Sequence, residues 1–382
     1  MKVAFKAGLF QIPIFRGLGG SSMKKLTLGD VCKKESSNIA QKDIMECEGE
    51  YPIYGAGGFI KNVNFYQQEL PYIAVVKDGA GIGRTMLLPA YSSVIGTMQY
   101  ILPVDYESID LQYLYYAIVH MDLGKYFSGA TIPHIYFKDY KKEKLFLPEI
   151  CEQQKISRLL QQVDLMIEKQ NNQVELMDKL VQSRFIELFV NSNVQWKEVT
   201  ISDICKDMRT GPFGSALHHD EFVDKGIFVL GIDNAVENKF SYNRMRYITE
   251  EKYEKLKRYT VYPGDVIITI MGTVGRSAVI PEDMPKAINT KHLACLTPDT
   301  NIVDSYFLVN VLQIHPLIRH QLERQSKGAI MNGLNLTIIK GLKFRLPPLE
   351  LQRRFVDFYK QVDKSKLSVL LLWKNHGYYL VI

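Results

Sequence analysis

A pattern of residues in the first half of this chain returns, in the same order, in the second half. The segment LTLGDVCK at 26–33 returns as VTISDICK at 199–206, which places Asp30 and Asp203 173 residues apart. Thr, Asp, Cys and Lys are identical in the two segments. An ordered internal repeat indicates that one structural unit is present twice, so we expect two similar domains.

Two further marks follow in each copy, a Gly-Arg pair and then a Leu-Pro pair. Gly83 returns as Gly275, 192 residues later, and Leu147 returns as Leu346, 199 residues later. Because the offset grows from 173 to 199 along the chain, the second copy is longer, and most of its extra residues lie between Lys206 and Gly275. The copies are therefore predicted to share a scaffold and to differ in their loops.

Each copy begins with short apolar segments separated by Gly and Pro, a pattern typical of strands and turns. The first copy is predicted to have strands at 51–65, 72–77, 85–88 and 99–103. Apolar residues at helical spacing predict one helix in each copy, at 110–120 and 305–315. Hydrophobic residues make up 46% and charged residues 23% of the chain, as in folded proteins. Each copy is expected to be a globular α+β domain.

A different pattern follows the first copy, from about 149 to 190. Apolar residues recur there at spacings of three, four and seven, which is the pattern of a coiled-coil seam. These residues are Ile156, Leu159, Val163, Met166, Met177 and Leu180. Pro148 suits the first turn of a helix. The pattern restarts after the second copy, at Phe355, Phe358 and Val362, so the two helices are predicted to pair.

The expected architecture is therefore two tandem β-rich domains that are separated and followed by long helices. The predicted segments are an extension outside the fold at 1–23, a first domain at 24–147, a first helix at 148–190, a second domain at 196–346 and a second helix at 347–374. Beyond Lys366 the heptad and charge pattern stops. The second helix is thus expected to be truncated relative to the first.

Charge, cysteine content and apolar runs narrow the class of protein. The net charge of +6 suits a polyanionic partner. Five cysteines show no paired metal-binding spacing, which favours reduced thiols and a cytoplasmic location. The apolar stretch at 7–15 is short and is broken by Pro13, so neither a membrane span nor an export signal is expected.

One Gly-rich motif, DGAGIG at 78–83, raises the possibility of a nucleotide or S-adenosylmethionine site. Such a loop acts by presenting the N-terminus of a following helix, whereas residues 85–89 form an extended run that ends in Pro. A β-hairpin turn explains both copies better. The sequence contains no P-loop, no amino-methylase motif and no metal-ligand set. We therefore expect no catalytic residue, no metal site and no cofactor.

The duplicated Leu-Pro followed by a Gln-containing long helix resembles the specificity subunit of type I restriction-modification systems. The elements that carry the resemblance are LPEICEQQKI at 147–156, its echo LPPLELQ at 346–352, and YPIYG at 51–55. The resemblance extends from about Lys24 to Lys366. It implies two target recognition domains, each of which reads one half of a split DNA site, and helices that pair as an antiparallel coiled coil.

The resemblance also implies partners. The chain would bind double-stranded DNA and methyltransferase subunits, and would meet the restriction subunits through the complex. Methyl transfer and cleavage would belong to those partners, and this chain would be non-catalytic. Two alternatives share some of the same features: a stand-alone sequence-specific DNA-binding regulator and an S-adenosylmethionine-dependent methyltransferase.

Residues of suitable chemistry in or beside the predicted turns are the candidate DNA contacts, since Arg and Asn suit base edges and Lys suits phosphates. In the first domain they are Lys77, Arg84, Thr131, His134 and Tyr136. In the second domain they are Arg209, Ser215, Arg276, Lys291, Lys327 and Asn335. Arg84 and Arg276 occupy the same place in two domains that should read different sequences. A shared residue favours a phosphate contact over base reading.

Overall fold

The structure is a computed structural model in which residues 24–129, 133–213, 216–326 and 334–375 are described. The described residues up to Asn171, with those from Leu370 onward, form one compact unit, and Asn172–Val369 form the other. The predicted extension at 1–23 lies outside the described residues.

The first unit combines three small sheets with short helices. Its strands are β1 (Lys24–Thr27), β2 (Cys32–Ser36), β3 (Tyr51–Gly55), β4 (Gly58–Val63), β5 (Tyr72–Val76), β6 (Thr85–Leu88), β7 (Ser93–Val94), β8 (Met98–Pro103) and β9 (Lys144–Leu147). Its helices before the long one are α1 (Leu28–Val31), α2 (Leu111–His120) and α3 (Phe137–Tyr140). The sheet orders are β2-β8-β5-β6, β4-β3-β7 and β1-β9.

Burial explains the place of β5 in the main sheet. All five residues of its YIAVV run are buried, and a continuously apolar strand is stable where both of its faces are covered. β5 is also a central strand of the sheet, since it pairs with β6 on one edge and with β8 on the other. The segment predicted as one strand at 51–65 is instead the hairpin β3–β4. The prediction was wrong here because Gly58 adopts a φ of +115°, which reverses the chain direction.

The second unit repeats this plan with a larger insertion. Its strands are β10 (Glu198–Thr200), β11 (Cys205–Thr210), β12 (Ile227–Leu230), β13 (Tyr247–Ile248), β14 (Thr260–Val261), β15 (Val266–Thr269), β16 (Ser277–Val279), β17 (Ala287–Asn289), β18 (Leu293–Pro298) and β19 (Lys343–Arg345). The main sheet has the order β11-β18-β15-β16, which matches β2-β8-β5-β6 strand for strand. β12 runs parallel to β17, as β3 runs parallel to β7.

The length difference between the copies is concentrated in the connection from β2 to β5 in the first unit and from β11 to β15 in the second. Residues 37–71 make this connection in the first unit, and residues 211–265 make it in the second. The longer connection contains helix α5 (Glu250–Leu256) and strand β14, and β14 adds a fourth strand to the second sheet. The copies therefore share their scaffold and differ in this connection, as the growing offset predicted.

The remaining helices are α4 (Ile150–Phe189), α6 (Ser305–Ile314), α7 (Pro316–Ser326), α8 (Leu336–Lys340) and α9 (Leu349–Asn375). Within the second unit, the end of α4 packs on the start of α9, where the ring centroids of Phe185 and Phe355 lie 5.4 Å apart. Further along, Lys366 of α9 pairs with Asp178 of α4. Because residue numbers rise along one helix as they fall along the other, the two helices are antiparallel.

The predicted seam of α4 was wrong at three positions. Leu159, Met166 and Leu180 have 54%, 58% and 51% of their surface exposed. The apolar residues that α4 buries are Ile156, Leu160, Ile167, Val181, Phe185 and Phe189. Apolar residues occupy two neighbouring stripes of this helix, and spacing alone does not show which stripe packs against the unit to which it belongs.

The boundary between the two compact units falls inside α4, at Asn171 and Asn172. Each unit therefore includes part of this helix. The division of the chain into separate domain and helix segments, with the bounds given above, stays a prediction.

Candidate nucleic-acid interface

In the first unit, three segments meet at one end of the main sheet. The turn after β5 begins at Lys77, whose amide donates to the Thr97 carbonyl at 3.0 Å. Ile135, which precedes α3, donates its amide to the Lys77 carbonyl at 2.9 Å. The amide of Gly79 donates to the Pro133 carbonyl at 2.9 Å. This edge is therefore a set of loops held together by backbone hydrogen bonds.

The second unit builds the same edge from the equivalent segments. The amide of Ile270, the first residue after β15, donates to the His292 carbonyl at 2.9 Å. Leu334 donates its amide to the Ile270 carbonyl at 3.1 Å. Ile270 thus corresponds to Lys77, and Leu334 corresponds to Ile135. The backbone of the edge is duplicated although its side chains differ.

The Gly-rich turns at these edges are β-hairpin turns. β5 pairs antiparallel with β6, and β15 pairs antiparallel with β16. Gly83 and Gly275 have φ values of +78° and +85°, which Gly adopts far more readily than other residues. A strand follows each turn, which confirms the hairpin interpretation.

Three of the predicted contacts in the first unit lie together at this edge. The carboxylate of Asp78 accepts a hydrogen bond from the ring Nδ1 of His134, and Lys77 Nζ lies 3.9 Å from the other Asp78 oxygen. The rings of His134 and Tyr136 have centroids 4.1 Å apart. Lys138 Nζ lies over the Tyr136 ring, 5.0 Å from the ring centroid. These side chains form a continuous group, named here the Asp78–His134 cluster.

Arg84 occupies a different environment. Its side chain is half-buried, and its Nη1 donates to the Ala56 carbonyl at 2.6 Å. Ala56 lies in the turn between β3 and β4, so Arg84 joins that hairpin to the turn after β5. The hydrogen bond gives the arginine at this position a structural role in the first unit, and its contact with DNA stays a prediction.

The second unit presents a more exposed set of basic residues. Arg276 and Lys291 are exposed, and among the described residues no side-chain partner of the Arg276 guanidinium is found. Burial, together with Lys291 and Arg246, lowers the pKa of His292. Asn335 caps α8, because its side-chain oxygen accepts from the Ile338 amide at 2.9 Å. Its amide group remains the part of the side chain that could contact a base.

The prediction that Arg209 lies in or beside a turn was wrong. It lies inside β11, and only 13% of its side chain is exposed. Its guanidinium donates to Asp265 at 2.8 Å, to Asp207 at 2.6 Å and to the Thr260 carbonyl. Since Asp265 immediately precedes β15, these bonds lie at the end of the sheet away from the candidate edge. Arg209 is an internal ion-pair residue.

Three of the predicted contacts, Thr131, Ser215 and Lys327, lie outside the described residues. Sequence reasoning also missed residues that the fold brings to the edges, namely Asp78, Lys138 and Arg319. Arg319 and Glu323 line a cleft of about 600 Å³ beside Arg276. Asp78 could have been found from its place in the turn next to Lys77. Arg319 is far from the turn in sequence and offered no such signal.

The described parts of the chain contain no group of three or more His, Cys, Asp or Glu side chains placed to hold a metal ion. In the same parts, no helix combines the length and the apolar run that crossing a bilayer requires.

Two similar α+β units with basic residues at their loop edges, each followed by a long helix, define a class of duplicated proteins. The family described as type I restriction modification DNA specificity domain matches this chain twice, at residues 20–176 and 193–369. The chain belongs to this family, and it is a non-catalytic specificity subunit of a type I restriction-modification system.

Curated relatives agree with this assignment. The specificity subunit of the type I restriction enzyme MjaVIII from Methanocaldococcus jannaschii is 22% identical over 308 residues, which are 76% of this chain and 72% of that protein. The specificity subunit of the Escherichia coli enzyme EcoBI is 23% identical over 261 residues, which are 62% of this chain and 54% of that protein. The chain thus aligns with about half of the EcoBI subunit.

Solved structures show the same fold. The S subunit of a type I restriction-modification system from M. genitalium has a TM-score of 0.58 and 17% identity, covering 98% of this chain and 97% of that one. A chain from a type I system whose complex assembly and conformational transition have been described has a TM-score of 0.53 and 15% identity, with 94% of each chain covered.

Proposed function

We propose that each unit reads one half of a bipartite DNA site through its loop edge. The observation that carries the proposal is the duplicated edge, in which the backbone hydrogen bonds are the same and the side chains differ. The first edge presents Lys77, His134 and Tyr136, and the second presents Arg276 and Lys291. A shared framework with different side chains suits two readers of two different half-sites, because base edges distinguish sequences and phosphates do not.

The long helices serve as the spacer between the readers and as the docking surface for methyltransferase subunits. Large apolar side chains on α4 support this role, because their surface would be covered in an assembly. Leu159, Leu165 and Met166 are exposed in the part of α4 that belongs to the first unit, and Leu176 and Leu180 in the part that belongs to the second.

In the assembled complex, DNA recognition and catalysis belong to different subunits. Methyl transfer is carried out by the methyltransferase subunits and cleavage by the restriction subunits. This chain directs both to a specific DNA site in the cytoplasm. Purified alone, the chain should neither methylate nor cleave DNA. Either activity in a homogeneous preparation of the isolated chain would contradict this division.

A domain exchange tests the two-reader proposal. Residues 24–146 are replaced by the equivalent domain of a homologue, and the methylated motif of a host that expresses the chimera with its partner subunits is mapped. Only one half of the motif should change. The matched control exchanges residues 196–346 and should change only the other half. Changes in both halves after either exchange would contradict separate readers.

A further inference from the structure

One of the differences between the two loop edges is a pair of polar side chains that only the first edge carries. In the first unit, Asp78 and His134 are hydrogen bonded. In the second unit, Ile270 and Leu334 match Lys77 and Ile135 by their backbone hydrogen bonds. The residue after Ile270 is Met271, and the residue before Leu334 in the sequence, which lies outside the described residues, is Gly333. The acid and the histidine are thus both absent from the second copy. A pair that is confined to one reader suits a role in what that reader distinguishes.

The hydrogen bond decides which nitrogen of His134 is the donor. An ionised carboxylate only accepts hydrogen bonds, and a neutral imidazole has one donor and one acceptor nitrogen. Because Nδ1 faces the Asp78 carboxylate, Nδ1 carries the proton. In the neutral ring, Nε2 is then an acceptor. About a quarter of each side chain is exposed, 27% for His134 and 28% for Asp78.

Neighbouring groups hold the ring in place and leave Nε2 available. Tyr136 packs against one side of the imidazole, and the backbone of His134 exchanges hydrogen bonds with Ser128 at 2.8 and 2.9 Å. Within the described residues, no protein group is hydrogen bonded to His134 Nε2. A fixed ring with one unpartnered acceptor is suited to recognise a hydrogen-bond donor of a ligand.

We propose that His134 is a base-reading residue of the first unit and that Asp78 positions it. In the major groove the donors on base edges are the exocyclic amino groups of adenine N6 and cytosine N4. His134 Nε2 therefore accepts from one of these amino groups at one position of the first half-site. The proposal rests on the proposed DNA reading by this unit and adds the chemical identity of one contact.

The test uses the full chain in complex with its methyltransferase subunits, at pH 8. Binding is measured by competition among duplexes in which every position of the first half-site is varied in turn. In Asp78→Asn, the carboxylate that only accepts is replaced by an amide that can either accept from Nδ1 or donate to it. Nδ1 then no longer has to carry the proton, and Nε2 can become a donor. One position should then lose its preference for adenine or cytosine by roughly three- to tenfold. Guanine or thymine, which present acceptors, should gain there.

A second variant covers the case in which Asp78→Asn does not fold. His134→Phe keeps a ring beside Tyr136 and removes the acceptor, so preference should be lost at that same position while the other positions are unchanged. The matched control is Asp139→Asn, which removes one exposed carboxylate from the same segment without touching His134. It should alter binding to all duplexes alike.

The outcomes separate this inference from the proposed function. If both variants weaken binding to every duplex by the same factor, as the control does, the pair only stabilises the loop and the inference is wrong. If the wild-type complex shows no preference for any base in the half-site, the proposed function fails instead.

Discussion

Gln153 and Gln352 lie 199 residues apart and make the same three hydrogen bonds. Each is buried in the first turn of a long helix, where its Nε2 donates to the carbonyl of the proline before that helix, at 2.8 Å in both copies. Nε2 also donates to the carbonyl of Ser108 in one unit and of Ile302 in the other. The Oε1 atoms accept from the amides of the aspartates that cap α2 and α6. Each long helix is thus fixed to a short helix of its own unit.

Replacing either glutamine should destabilise the unit that contains it. Gln153→Leu keeps the side-chain size but leaves a buried amide and two carbonyls without partners, which costs about 1–3 kcal/mol. Gln352→Leu should do the same to the second unit. Urea unfolding of the full chain measures the loss, and the exposed Gln161 of the same helix provides the control variant Gln161→Leu. A loss at Gln161 equal to that at Gln153 would contradict the proposed anchoring.

The repeat and the Leu-Pro and Gln marks made the scaffold predictable from sequence. Each of these residues stands at the same place in both copies, and Gln153 and Gln352 make the same hydrogen bonds, so their repetition in the sequence indicates a structural role. The packing face of α4 was less predictable, because Leu159 and Leu160 are equally apolar and differ only in which one meets the rest of the unit. That choice depends on contacts made by distant parts of the chain.

Arg84 and Arg276 should differ in their effect on DNA binding. The Arg276 guanidinium is exposed, so Arg276→Ala should lower the slope of log affinity against log salt by about one and leave stability within about 0.5 kcal/mol. Arg84→Ala should leave the salt slope unchanged and destabilise the first unit by about 1.5–3 kcal/mol, because the Ala56 carbonyl loses a charged donor. Binding is measured on non-specific duplexes over a range of salt concentrations.

The two arginines thus serve as controls for each other. An unchanged salt slope in a folded Arg276→Ala chain would contradict the phosphate role. A lowered slope in Arg84→Ala, with unchanged stability, would show that the Ala56 hydrogen bond does not hold Arg84 inside the unit.

Arg209 should be a stability residue. Arg209→Met leaves the Asp265 carboxylate, which is only 2% exposed, without its cation, and removal of one partner of a buried pair costs about 3–5 kcal/mol. The double variant Arg209→Met with Asp265→Leu should lose less. Arg244, an exposed arginine of the same unit, supplies the control Arg244→Met. Urea unfolding gives the stability, and a loss no greater for Arg209→Met than for Arg244→Met would contradict this role.

Only some of the candidate DNA contacts could be placed correctly from the sequence. The place of Lys77, His134 and Tyr136 near turns predicts a common surface, and the fold brings them together because residues 133–136 follow the edge of the turn after β5. The same reasoning predicts exposed contacts at Arg209 and Arg84, yet their guanidinium groups bond inside the units. Which arginine points outward depends on acceptors such as Asp265 and the Ala56 carbonyl, which only the fold brings near.

The second unit should lose stability in mild acid because of His315. This residue follows α6 and is buried between the rings of Phe185 and Phe344, and within the described residues its Nδ1 has no hydrogen-bond partner. Burial lowers the pKa of His315. In the unfolded chain the same ring has its ordinary pKa of about 6.5, so the unfolded state binds more protons as the pH falls through that value. The free energy of unfolding therefore decreases as the pH drops from 7.5 to 5.5.

His315→Phe should reduce this dependence on pH, because a phenyl ring in the same apolar surroundings takes up no proton. His292, whose pKa is also lowered, contributes to the slope in both proteins, so the informative quantity is the difference between wild type and variant. Urea unfolding followed by tryptophan fluorescence at pH 7.5 and 5.5 measures it. His320, which is exposed on the neighbouring helix α7, supplies the control His320→Phe, which should keep the wild-type slope. If His315→Phe keeps the full wild-type slope as well, then His315 does not take up the proton that destabilises the second unit in acid.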